Sequence, residues 1–167
     1  KRGMLTWQIK KICPQCIILE SDYELYSLFS HKMFEMLSTF TPVVEEYSID
    51  EAFADIKGLR QPLNMSYFEI GQAIKNKIES SLGISISVGI SLTKSLAKLA
   101  SSFKKPSGLT VIDGRGIEKL LAQTKIKDVW GIGENTSASL EKFGVKTALD
   151  FALKSEFLGS QRNDSPH

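Results

Sequence analysis

The stretch Val43-Val44-Glu45-Glu46-Tyr47-Ser48-Ile49-Asp50-Glu51-Ala52-Phe53-Ala54-Asp55-Ile56 decides how the chain is read. Two runs rich in Val, Ile, Tyr and Phe meet at Asp50, and such runs favour extended backbone because branched and aromatic side chains pack well on a pleated surface. The adjacent acids Asp50 and Glu51 stand among apolar neighbours. Successive strand residues point to opposite faces, but a junction or bulge turns both toward one site. Two hard oxygen donors so placed suit a cation such as Mg2+, which is held by one or two carboxylates plus substrate phosphates. A solvated hairpin tip, where Asp is common, is the other reading, and the pair alone favours it.

Working outward, helices are expected on both sides of this hairpin. Trp7 to Ile12 has helical spacing and stops before Pro14, and a short strand is expected at 16–19. Ser21 and Glu24 are spaced as a capping box ahead of Leu25, Leu28, Phe29, Met33, Met36, Leu37 and Phe40, which predicts a helix running to about Phe40. Phe68, Ile70, Ala73, Ile74, Ile78 and Leu82 predict a second long helix ended by Gly83. Ile84 to Ile90 alternates like a strand, Thr93 to Phe103 returns to helical spacing, and Pro106-Ser107-Gly108 turns into a strand at Leu109 to Ile112. Strands interleaved with helices and including a hairpin give an α+β class, a mixed sheet with helices on one face. From Asp113 the texture changes to short helices and glycine turns, a small all-helical unit, and Gly159 to His167 reads as a frayed tail.

Composition excludes little beyond the membrane. Of 167 residues 42% are hydrophobic and 24% charged, the formal charge is +2, and no apolar run is long enough for a span. That balance is compatible with a polyanionic partner without requiring one. Cys13 and Cys16 form a Cys-x-x-Cys spacing with no second pair to complete a zinc site, so buried thiols are expected rather than a metal or redox centre. The opening at Lys1 rather than Met, without signal-peptide layout, leads us to expect a start further upstream.

Three blocks together resemble one family. Tyr47-Ser48-Ile49-Asp50-Glu51-Ala52-Phe53-Ala54-Asp55 is similar to the signature segment of Y-family, lesion-bypass DNA polymerases, whose Asp and Glu serve a two-metal site. Val88 to Ser101, with Lys105-Pro106-Ser107-Gly108 behind it, resembles that family's second block, and Val129-Trp130-Gly131-Ile132-Gly133 its thumb turn. Ser21 to Tyr26 and Trp130 point further to a UmuC-like branch. The resemblance implies a fingers remnant at 1–21, a palm at 22–112, a helix-hairpin-helix thumb at 113–158 and the tail at 159–167.

It also implies roles. Asp50 would bridge two Mg2+ ions and Glu51 would bind the one on the primer 3'-hydroxyl side, as two-metal phosphoryl transfer requires. Lys105 would contact the incoming deoxynucleoside triphosphate, although taken alone it is an exposed lysine. Lys94 and Lys98, at i and i+4, put two cations on one helical face, which serves DNA contact or simple solvation equally well. Gly131, Ile132 and Gly133 would let backbone N–H groups at the next helix approach a DNA phosphate, where an isolated Gly-x-Gly is only a turn.

The family's N-terminal metal-bridging Asp, the aromatic that excludes ribonucleotides, and the fingers' tyrosine and arginine have no counterpart, and Ser102 stands where an Asp is common. The chain alone is therefore expected to be inactive, a fragment of a cytoplasmic, SOS-response parent. Its partners would be primer-template DNA and triphosphate, with an accessory SOS subunit, recombinase filament and sliding clamp implied for the parent. The alternative is a non-catalytic DNA-binding or partner-binding remnant using the basic helix face and the helical unit.

Overall fold

The computed structural model describes residues 3–154. Its elements are α1 (Thr6–Ile12), α2 (Tyr23–Ser38), β1 (Val44–Ser48), β2 (Glu51–Ala54), α3 (Arg60–Leu63), α4 (Tyr67–Leu82), β3 (Val88–Ile90), α5 (Lys94–Ser102), β4 (Leu109–Val111), α6 (Ile117–Gln123), α7 (Glu134–Lys142) and α8 (148–154). The α+β class holds. The tail expected at 159–167 lies outside the described residues.

α4 organises the core. Ser66 accepts the Glu69 N–H while the Glu69 carboxylate takes the Ser66 N–H, a reciprocal cap that satisfies two orphan donors, and Gly83 closes the helix in the left-handed conformation at φ 67°. The Ser66 N–H, and after it the Ser66 hydroxyl, donate to the Glu69 carboxylate and hold it below its ordinary range. Ile70, Ile74 and Ile78 repeat along one face and are buried with Leu37 of α2, while Ala52 and Ala54 of β2 pack against them. Burial of each such isoleucine contributes roughly 2 kcal/mol.

The strands form two ladders rather than the single sheet expected: β1 and β2 pair antiparallel, and β3 and β4 pair parallel. Nor are the helices on one face. Ile90 and Leu109 point at Gly71 of α4, whereas a side chain at Gly89 would lie 2.0 Å from the Ala97 carbonyl oxygen of α5. The two faces of the β3–β4 ladder thus carry one helix each, and α5 comes so close because residue 89 has no Cβ.

Three local expectations are corrected. Residues 16–19 form no strand, and Ile17 and Leu19 are each 83% exposed; their apolar run predicted a strand, yet no described strand pairs with it. The cap of α2 is Asp22, whose carboxylate accepts the Leu25 N–H at 2.9 Å, and not Ser21, one residue too early. β3 begins only at Val88, since Ile84 to Ser87 find no partner strand.

Residues 113–154 bury Leu120, Ile126, Val145 and Ala148. Their backbone is tied by Ile126 N–H to the Lys146 carbonyl, Ala148 N–H to the Thr124 carbonyl, and a bridge between Lys125 and Thr147.

Candidate active site

The β1–β2 hairpin is irregular where it matters. Glu46 pairs with Ala52 but Ser48 with Glu51, so Tyr47 is an extra residue on β1 and the ladder is bulged beside the turn. A bulge re-aims side chains next to a turn. Ala52 and Ala54 go to the core, and Glu51 and Phe53 therefore take the other face. Asp50 sits in the turn, its Oδ1 accepting the Ser48 hydroxyl at 2.9 Å.

A cleft of about 460 Å³ opens between the two ladders. Ala52, Phe53 and Ala54 line one wall and Val88, Gly89 and Ile90 the other, with Ile74 and Ile78 of α4 behind. Asp50, Glu51, Lys98 and Lys105 also line it, so four of the residues singled out in the sequence share one cavity. Lys94 does not line it, and Gly131, Ile132 and Gly133 lie apart from it.

Both lysines of α5 are paired within the chain, Lys98 half-buried and Lys94 still exposed to solvent. Lys98 Nζ donates to Glu51 Oε2 at 2.6 Å, and Lys94 Nζ donates to Glu45 Oε2. Three rings surround these ammonium groups. Lys98 Nζ lies 4.8 Å from the Tyr47 ring and 5.1 Å from that of Trp130, and Lys94 Nζ 5.7 Å from Phe53. Trp130 Nε1 donates to the Tyr47 hydroxyl at 3.1 Å and its ring lies 5.6 Å from Phe53. The aromatic cluster ties the 113–154 unit to the hairpin that carries the acids, a role for Tyr47, Phe53 and Trp130 that sequence spacing does not show.

The glycine turn lies between a short 3-10 turn and α7. Gly131 has φ 87°, a conformation that favours glycine, and Gly133 is the extended N-cap of α7, which starts at Glu134 and carries no side-chain cap. Only the single 3-10 turn Ile126–Asp128 precedes it, so the first arm of the hairpin is shorter than a full helix.

The two acids line the same cleft. Asp50 and Glu51 offer hard oxygens at the mouth of a cleft, but no cluster of three or more metal-ligating side chains exists among the described residues. An ion there would need further oxygens from phosphates or another segment. Cys13 and Cys16 are free and not buried, contrary to expectation, because the segment holding them lies on the surface.

Residues 1–102 match the impB/mucB/samB family. The chain belongs to that family. It is 38% identical over 160 residues to DNA polymerase IV of Oceanobacillus iheyensis and 34% identical over 152 residues to DNA polymerase IV of Moorella thermoacetica, covering 94% and 91% of this chain. It spans only 37% and 38% of those relatives' own lengths. Among solved structures, DinB from Sulfolobus solfataricus superposes with a TM-score of 0.79 at 27% identity, covering 88% of this chain and 43% of that one. An insertion ternary complex of Dbh DNA polymerase gives the same figures. These likenesses support the resemblance to Y-family DNA polymerases. No helix among the described residues is long and apolar enough to cross a membrane.

Proposed function

We propose that this impB/mucB/samB chain is the carboxylate-bearing part of a translesion DNA polymerase that joins a deoxynucleoside triphosphate to a primer. The observation that carries the reading is the cleft where Asp50 and Glu51 meet Lys98 and Lys105. Acids that hold a cation and lysines that meet phosphate are what nucleotidyl transfer asks of a site with no covalent chemistry of its own. A bound pair of Mg2+ ions would supply charge neutralisation at the phosphates and a more acidic 3'-hydroxyl. Asp50 and Glu51 would hold them, Lys105 would offset charge on the triphosphate, and Lys98 would leave Glu51 for a phosphate.

The cleft also has room for one more strand. Neither β2 nor β3 has a second strand partner among the described residues, and the walls between them are apolar. A strand there, carrying the third acid that the family resemblance implies, would complete the ligand set, and without it the chain alone would not catalyse. We assign 22–112 to a palm, 113–158 to a thumb whose Gly131–Gly133 turn meets a DNA phosphate, and 1–21 to a fingers remnant. Uncapped N–H groups at the start of α7 support the phosphate contact. The UmuC-like branch is supported by Ser21 to Tyr26 and Trp130, and a DinB-like one by the relatives' names. A cytoplasmic, SOS-response setting with accessory subunit, recombinase filament and sliding clamp belongs to the same proposal for the parent.

The test is primer extension by the parent polymerase restored upstream of Lys1. The expected outcome is Mg2+-dependent extension that Asp50→Ala abolishes. Extension of unchanged rate in Asp50→Ala would remove that residue from the reaction.

A further inference from the structure

Lys75 is the one lysine among the buried polar residues of the described part, at 8% exposure, and it lies outside the cleft. From the middle of α4 its Nζ donates to Glu79 Oε2 at 2.5 Å and to the Ser107 hydroxyl at 2.8 Å. The Ser107 hydroxyl in turn donates to Glu79 Oε1 at 2.8 Å, which also accepts the Ile86 N–H at 3.0 Å. Three side chains thus close a ring across 32 residues of sequence. A lysine taken out of water persists only when its donors are satisfied, and this ring satisfies two.

What the ring holds is an unusual turn. Ser107 has φ 57°, in the left-handed region that a non-glycine residue enters at a cost. Its neighbour Gly108 leaves no space for another residue, since a Cβ there would lie 2.1 Å from the Lys104 carbonyl oxygen. The turn runs Lys105-Pro106-Ser107, and all three line the cleft that also holds Asp50 and Glu51. The side chain of Lys105 is exposed and makes no ion pair with any described residue, so what fixes its place is the backbone beneath it.

We propose that Lys75, Glu79 and Ser107 form a positioning unit that fixes the Lys105 turn at the cleft and so sets the affinity for a triphosphate that none of the three touches. This rests on the reading of Lys105 as the triphosphate contact. The polar ring converts a strained turn into a defined one, because releasing Ser107 would leave Lys75 buried against a single partner.

The experiment titrates inorganic tripolyphosphate into the 167-residue chain at low salt, with thermal unfolding recorded for every variant. Lys105→Ala is expected to weaken binding about tenfold, the loss of one charge-assisted contact. Ser107→Gly removes the hydroxyl while keeping the left-handed backbone accessible, and Glu79→Gln removes the acceptor's charge. Each is expected to weaken binding at least about threefold, with no further loss when combined with Lys105→Ala, because they act through that lysine. Unchanged binding in Lys105→Ala overturns the reading of Lys105 and the proposal with it. A loss in Lys105→Ala beside lowered melting but wild-type affinity in Ser107→Gly and Glu79→Gln overturns the positioning unit alone, as does full additivity in the double variants.

Discussion

Glu79 shows how much one side chain depends on its surroundings. The Lys75 ammonium first, then the Ile86 N–H and the Ser107 hydroxyl, lower its carboxyl from 4.5 to about 2. A carboxyl held down in the folded state stabilises it above the unfolded value of 4.5, and that contribution disappears as pH falls through about 2. Melting temperature is therefore expected to drop between these limits, and the Glu79→Gln variant to show a flatter acid limb over the same window. Thermal melts of both proteins across that range check it. No local pattern reveals this. Lys75 and Glu79 are spaced i and i+4, which alone implies no more than a helical pair, and Ser107 sits 28 residues beyond Glu79. Asp50 and Glu51 stand out as two acids in an apolar hairpin, but the pair alone favours a solvated tip and its metal role comes from the family resemblance; the Lys98–Glu51 pair spans 47 residues and leaves no local signal.

At the scale of elements, periodicity found what a local rule governs. The long helices α2 and α4, the hairpin and α5 lie close to where spacing and Gly83 put them, the start of α2 moved by one residue to its Asp22 cap. It failed where pairing partners decide: residues 16–19 and 84–87 have strand-like composition but no neighbour to pair with among the described residues. It also could not tell which face a helix covers, and so put the helices on one face. Gly89 held that information, since a strand glycine marks a close backbone approach. Gly89→Ala would drive a methyl against the Ala97 carbonyl and the Ser101 N–H of α5. The expected cost is about 2 kcal/mol or more, with α5 displaced from the ladder. Urea unfolding of the two proteins measures it, and a change below about 0.5 kcal/mol would mean that α5 does not pack as described.

Across the whole molecule, distant segments converge on one cleft. The hairpin supplies Asp50 and Glu51, α5 supplies Lys98, the turn after it supplies Lys105, and Trp130 from the helical unit closes over Lys98 and Tyr47. The sequence named the cleft's four charged residues through family resemblance, since no spacing rule joins residue 51 to residue 105. The ring cluster around Lys98 stayed hidden because Tyr47 and Phe53 belong to one block and Trp130 to another 83 residues from Tyr47, and no spacing rule joins the two. The cleft's proposed chemistry depends on Asp50 and Glu51 holding a metal ion. Paramagnetic broadening of amide resonances by Mn2+, recorded on this chain and on an Asp50→Asn, Glu51→Gln double variant, tests it most directly. Broadening centred on residues 48–53 and lost in the variant is the predicted result; broadening centred elsewhere, or unchanged in the variant, would contradict it.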